Sequence, residues 1–232
     1  MSRFLPLERS TLSSPAWFVP FDDYRRHVRT AGVSVLLDRW HEGVWVPQDT
    51  AAVRTPSAAL AYPGLGRHSA GEPRRHRVRF VAAGYQPLYP ADGQPFSSDV
   101  VGIEFVVRSE EDTAAPRLVR LLPAVTFPYP PGVRTVHGVV LDARTRAPLE
   151  NVLVEARGRA SRDPVSWHER TLSGARGAFR LALRWEGEKA EEHAVEETFR
   201  LEAVQRPGRT GALVVRLPRD AGTRQVIEIR EQ

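Results

Sequence analysis

Arg75, Arg77 and Arg79 stand at every second position, and no other run in this chain has so sharp a chemical pattern. On an extended strand that spacing puts three guanidinium groups on one face, with His76, Val78 and Phe80 on the other. Three like charges along a strand repel unless water or acids screen them. A solvent-facing strand meets that need. So does an acidic protein partner, because a guanidinium fork matches a carboxylate. Trp40 and Trp45 flank a turn at Gly43 and form a second candidate. Such indoles either pack between elements or, when exposed and coplanar, make a platform for a sugar ring. Trp17 and Phe18, with Phe21, lie in a proline-punctuated stretch and must be buried somewhere, on their own domain or on a neighbouring subunit.

Patterns for catalysis are missing from the sequence. It contains no His-Glu-x-x-His, no Gly-x-Ser-x-Gly and no phosphate-binding Gly-Lys-Ser/Thr loop. With 0 cysteines, disulfide scaffolds, cysteine–zinc sites, iron–sulfur clusters and thiol nucleophiles are excluded. His41, His68 and His76 with Tyr62, Tyr85 and Tyr89 supply the residue types of a two-Tyr, two-His iron site, but at no spacing that matches one. His193 and Glu197 have helical metal-ligand spacing. Glu191, Glu192 and Glu196 surround them, and a solvated acidic loop explains the group. His168 beside Glu169, and His137 on a strand, read as surface histidines. The expectation is no catalytic residue, no cofactor and no metal.

The elements that position these residues follow from composition and periodicity. The 232 residues suffice for one large domain or two of about 100 residues. At 41% hydrophobic and 26% charged the chain is too apolar for disorder. Its 17 Gly and 19 Pro fall between short apolar runs, which implies many turns and few long helices. The net charge of +5 is spread evenly: 15 Arg against 13 acids in residues 1–130, and 18 basic residues against 15 acids in 131–232. A nucleic-acid binder concentrates its excess on one face or tail, so no nucleic acid is expected. The N-terminal apolar stretch is broken at Pro6, Glu8 and Arg9, short of a secretory signal, and no run approaches a membrane span. The default expectation is a cytoplasmic protein with no membrane contact.

Residues 1–29 read as an extended arm, with Pro6, Pro15 and Pro20 opposing a continuous helix or central strand. Residues 30–122 hold alternating runs at Val33–Leu37, Val78–Phe80 and Ile103–Val107, and a hairpin at 40–46. Residues 123–133 contain four prolines and read as a stiff linker. Residues 134–232 alternate clearly at Phe179–Trp185, Phe199–Ala203, Leu213–Leu217 and Ile227–Ile229, with further strands at 136–141 and 152–156. About seven short strands with regular turns indicate an antiparallel β-sandwich. Residues 186–197 read as a charged excursion.

The run Val136-His-Gly138-Val-Val140-Leu-Asp142, followed by Ala147-Pro148-Leu149-Glu-Asn-Val152-Leu-Val154 and by Thr171-Leu-Ser173-Gly-Ala-Arg-Gly177-Ala-Phe179-Arg-Leu181, resembles the carboxypeptidase regulatory-like domain, a prealbumin-like (transthyretin-like) sandwich. The family commonly has acidic turn residues where Gly174 and Arg176 stand, so the resemblance implies no cation site there. The Tyr-Arg-Gly-Ser ending of the 5-hydroxyisourate hydrolases has no counterpart, since this chain ends Ile-Arg-Glu-Gln. In the first region, 33–38 and 77–85 look like matching elements of a second, diverged copy; another β-fold remains the alternative.

These readings converge on an all-β chain of two tandem antiparallel sandwiches (Ig-like/prealbumin-like) with an extended N-terminal arm. Its expected role is a non-enzymatic structural or protein-interaction module, an accessory subunit bound to other protein subunits or acidic surfaces. A phage-tail-like contractile injection particle is one such assembly. A carbohydrate- or surface-binding module and a divergent metal-dependent enzyme of the transthyretin-like class are the alternatives. Partner-binding candidates are Arg75, Arg77, Arg79, Trp17, Phe18, Trp40 and Trp45.

Overall fold

The computed structural model of the chain describes residues 13–66, 72–90, 96–108, 114–159, 166–184 and 197–232. Its first strands are β1 (Trp17–Asp22), β2 (His27–Val28), β3 (Val33–His41), β4 (Val44–Gln48), β5 (Val53–Arg54) and β6 (Leu60–Ala61). Next come β7 (Arg74–Ala82), β8 (Tyr85–Leu88), β9 (Ile103–Val107) and β10 (Arg117–Pro123). The second half holds β11 (Thr135–Asp142), β12 (Leu153–Arg159), β13 (Ser166–Leu172), β14 (Ala178–Ala182), β15 (Glu197–Arg206), β16 (Arg209–Leu217) and β17 (Gln225–Glu231). The one helical element among the described residues is a 3-10 turn at Ala175–Gly177. The expected all-β character is what the chain shows.

Two sheets form the first lobe. One runs β5-β6-β1-β10-β8, with β2 also on β1; the other runs β4-β3-β7-β9. Alternation decides what goes between them. Phe18, Leu37, Val78, Phe105 and Leu121 point inward from five strands into one cluster. Phe18 is fully buried and meets Phe80 and Phe105 edge-on, with centroids 5.9 and 5.8 Å away. Burying one such ring is worth about 2–3 kcal/mol. The second lobe is a seven-stranded sheet, β13-β12-β15-β16-β17-β11-β14. Pairing of β16 with β17 is confined to Arg209–Glu231 and Thr210–Arg230. There the sheet folds over, and both of its halves bury side chains in a common core that includes Val140, Val154, Phe179, Leu201, Val215 and Ile227.

Both lobes are closed in the same way. Their first strand lies parallel to their last: β1 beside β10, and β11 beside β17. The sheets are therefore mixed where all-antiparallel ones were expected. Gly138 makes the second of these pairings close. A Cβ there would sit 2.3 Å from the Gln225 carbonyl oxygen and 2.8 Å from the Phe179 ring, the crowding expected at that glycine.

The expected arm needs correction over 17–28. Trp17–Asp22 is an interior strand of the first sheet, paired with β10 on one side and with β6 and β2 on the other. Pro20 is tolerated because β6 covers only Trp17 and Phe18, and β2 only Phe21 and Asp22. The proline lies in the gap between these short partners, where no strand asks for its missing N–H. Residues 1–12 of the expected arm lie outside the described residues, as do His68, Trp185 and residues 186–196 of the expected excursion.

Residues 123–133 do not bridge open space. Phe127 is buried, and its ring lies 5.4 Å from Tyr24, 5.0 Å from Tyr85 and 4.8 Å from Tyr129. The lobes also touch directly. Leu122 of β10 is buried with Leu153 and Leu172 of the second lobe. The Thr171 hydroxyl donates to the Pro123 carbonyl at 2.7 Å. Asp23, buried beside β1, accepts from Arg170 Nε at 3.0 Å and Nη2 at 2.6 Å, and from Arg120 Nη1 at 2.8 Å. Burial by itself would raise the Asp23 carboxyl; the hydrogen bonds and charge of Arg170, with help from Arg120 and Arg26, outweigh it and hold the group below its ordinary value. Glu169 goes the other way, pushed up by burial despite Arg184 and Arg26.

Candidate functional site

Five of the seven sequence candidates meet on one surface, the outer face of the β4-β3-β7-β9 sheet. The hairpin that starts it is tight: Glu42 and Gly43 both take positive φ, at 47° and 85°. Trp40 is thereby placed directly opposite Trp45. Register then sets the rest. Asp38 faces Arg77, Leu36 faces Arg79, and Arg77 faces Glu104 on β9.

The acids that screen the arginine ladder come from neighbouring strands. Arg77 donates to Asp38 Oδ2 from Nε at 3.1 Å and Nη2 at 2.8 Å. Arg79 donates to the same carboxylate from Nε and Nη2, both at 2.9 Å. Arg75 donates to Glu104 Oε2, with Nε at 2.9 Å. Asp38 points outward yet is only 1% exposed, because two guanidinium groups roof it. Burial would raise its carboxyl; the hydrogen bonds from Arg79 and Arg77 and their charges prevail and hold it below the usual carboxylate range.

The indoles complete the cluster. Trp40 and Trp45 lie 5.0 Å apart with planes inclined at 67°. The Arg75 guanidinium carbon sits 5.5 Å from the Trp40 ring and 5.7 Å from Trp45, and that of Arg77 sits 4.6 Å from Trp45. Cation–π contact and ion pairing together restrain Arg75 and Arg77, while Arg79 is held by its ion pair with Asp38. Gly102 allows the close fit, since a Cβ there would come within 2.7 Å of Arg77 Cγ. Apolar side chains frame the charges: Leu36 and Val81 at one end, Trp40 and Val106 at the other, all exposed. Beside Trp45 opens a cleft of about 630 Å3, walled by Arg77, Asp99, Ile103, Glu104 and Arg117.

Both edges of this sheet are guarded. On β4, Pro47 lacks an N–H, and the Gln48 amide donates to the carbonyls of Val46 and Pro47 at 3.2 and 3.0 Å. On β9, Arg117 Nη1 donates to the Glu104 carbonyl at 3.0 Å. Such features oppose the addition of a further strand at these edges.

The other two candidates do not join the cluster. Phe18 is buried in the core, and Trp17 is half-buried with its Nε1 donating to the Ser14 carbonyl at 3.0 Å. Phe18 is closed to a partner by the core it fills, whereas Trp17 stays partly exposed. The candidate iron ligands are scattered: Tyr85 donates to Asp22, the Tyr89 hydroxyl oxygen accepts from the Phe80 N–H, Tyr62 is interior, and His41 is at the hairpin tip. No three His, Asp or Glu among the described residues gather at metal-binding positions. His168 is more than a surface histidine. Its Nε2 lies 2.8 Å from Glu155, and its carbonyl accepts from Arg26 at the lobe junction. Asp38 and Glu104, which sequence reasoning did not single out, are the partners the ladder requires.

No family model matches the chain, and no curated protein does. Among solved structures it is similar to a streptococcal ancillary pilin, at 14% identity and TM-score 0.27 over 97% of this chain. It spans 64% of that pilin's length. It is also similar to the shaft pilin SpaA of Lactobacillus rhamnosus GG, at 10% identity and TM-score 0.28, over 96% of this chain and 98% of that one. Scores this low transfer no residue role and no partner.

Proposed function

We propose that the chain is a non-enzymatic protein-interaction module, made of two sandwich units joined near 123–133, and that other subunits bind the outer face of its β4-β3-β7-β9 sheet. One observation carries this reading: Trp40, Trp45 and three arginines are tied together by ion pairs and ring contacts on an exposed face whose centre is the roofed Asp38 carboxylate. Trp and Arg dominate binding hot spots, and immobilising them before contact lowers the entropy lost on association. The guarded edges favour face docking over the strand exchange that sheet edges otherwise offer.

The carbohydrate alternative fits less well. A sugar platform needs an open, flat ring face. Here the rings are inclined at 67°, and Arg75 and Arg77 already lie over them. The resemblance of 134–232 to carboxypeptidase regulatory-like domains is kept as a family proposal, supported by the crowding at Gly138. The phage-tail-like particle keeps only its fold-level analogy. Tagged full-length chain recovered from its source cells tests the main reading. The wild type should retain a defined partner that the Trp40→Ala/Leu36→Ser double variant loses; identical recovery by both would end the proposal.

A further inference from the structure

The charge count on the same face specifies what its partner must bring. Three guanidinium groups face two carboxylates, Asp38 and Glu104, which leaves one positive charge uncompensated. Each arginine spends its Nε and Nη2 on these acids. The Nη1 groups of all three make no hydrogen bond among the described residues, and recur about every 6.8 Å along β7. Asp38 serves both Arg77 and Arg79, so the missing acid belongs over that pair. The apolar frame flanks it in both directions, with Leu36 opposite Arg79 and Val81 past it, and Trp40 and Val106 beside Arg75.

We infer that the partner of this face is a protein segment carrying a carboxylate flanked by apolar side chains, the carboxylate seated on the free Nη1 groups of Arg77 and Arg79 and the apolar groups on Leu36/Val81 and Trp40/Val106. The inference rests on the interaction-face reading above. A guanidinium pair that shares one acid gains a second at little desolvation cost, because the guanidinium groups are already oriented and partly shielded. A second copy of the chain docking by the same face would set residual positive charge against residual positive charge. A nucleic acid would bring a row of phosphates to a face whose ion pairs leave a single net positive charge, too little to hold them.

A random 12-residue peptide library displayed on phage, selected against the full chain, provides the probe. Selected peptides should be enriched in Asp or Glu with apolar residues on either side. Synthesised individually, they should bind about tenfold more weakly to Arg79→Gln and several-fold more weakly at 300 than at 50 mM NaCl. Leu36→Ser/Val81→Thr, which touches no ion pair, should weaken them as well while leaving the circular dichroism unchanged. Peptides that need Leu36 and Val81 but carry no acid, or a base instead, would overturn the carboxylate and leave the interaction face standing. If no selected peptide depends on any residue of the face, both readings fall.

Discussion

His76 gives the most quantitative test of how this face is supported. It occupies the inward side of β7, between Arg75 and Arg77, and is 3% exposed. Its ring stacks on Phe105 at 5.6 Å and 24°, and neither ring nitrogen has a partner among the described residues. Burial, reinforced by the charges of Arg39 on β3 and of Arg74, lowers its pKa from 6.5 to about 4. The unfolded chain therefore binds a proton that the folded one refuses. Stability from the neutral ring is fully present above pH 6.5, falls as the pH drops below that, and is gone near pH 4. At about 1.36 kcal/mol per pKa unit the loss amounts to about 3 kcal/mol across this window. His76→Phe keeps a ring against Phe105 and removes the titration. Urea unfolding of both proteins at pH 7, 5 and 4.2 isolates the effect, because the other histidines are common to both. The variant should gain on the wild type by about 2 kcal/mol between pH 7 and 5, and by more at pH 4.2. Profiles that run parallel would refute the account of a dry, unpartnered imidazole behind the arginine ladder.

Three further perturbations follow from the same physics. Asp38→Asn removes the charge under Arg77 and Arg79 and should cost about 2–4 kcal/mol at pH 7 in urea unfolding. Because the Asp38 pKa is lowered in the fold, that contribution is present above about pH 4 and fades as the pH falls through the folded value, so variant and wild type should converge in acid. Gly102→Val drives a side chain into Arg77, and should destabilise by about 1–3 kcal/mol and shift tryptophan emission as Arg77 leaves Trp45. Asp23→Asn unpairs Arg170 and Arg120 at the lobe junction, and should cost about 3 kcal/mol and split a single calorimetric transition into two; an unchanged single transition would show that the Asp23 ion pairs are not what couples the lobes.

Much of the candidate face was legible in the sequence, because a strand's period of two assigns sides without any knowledge of neighbours. Arg75, Arg77 and Arg79 fall on one side and His76, Val78 and Phe80 on the other, as their alternation implies. The Trp40–Trp45 hairpin is equally local, set by a two-residue turn. The acids were not legible. Asp38 is 39 residues from Arg77, and Glu104 is 29 residues from Arg75. Only the register of β3 and β9 against β7 brings them under the guanidinium groups.

Local pattern thus settled that the chain is built of strands, where most of them run, and which side chains share a face, since those properties depend on neighbours one or two residues away. Tertiary pairing settled the rest. It drew Trp17–Asp22 into the centre of a sheet, with Pro20 in a gap between partners. It closed each lobe by a parallel first and last strand, packed the proline-rich stretch onto aromatic rings, and joined the lobes through Asp23 and Arg170. Most of these contacts link segments tens of residues apart, so burial of a common core has to outweigh the entropy of closing a long loop, and no window of local sequence carries that balance.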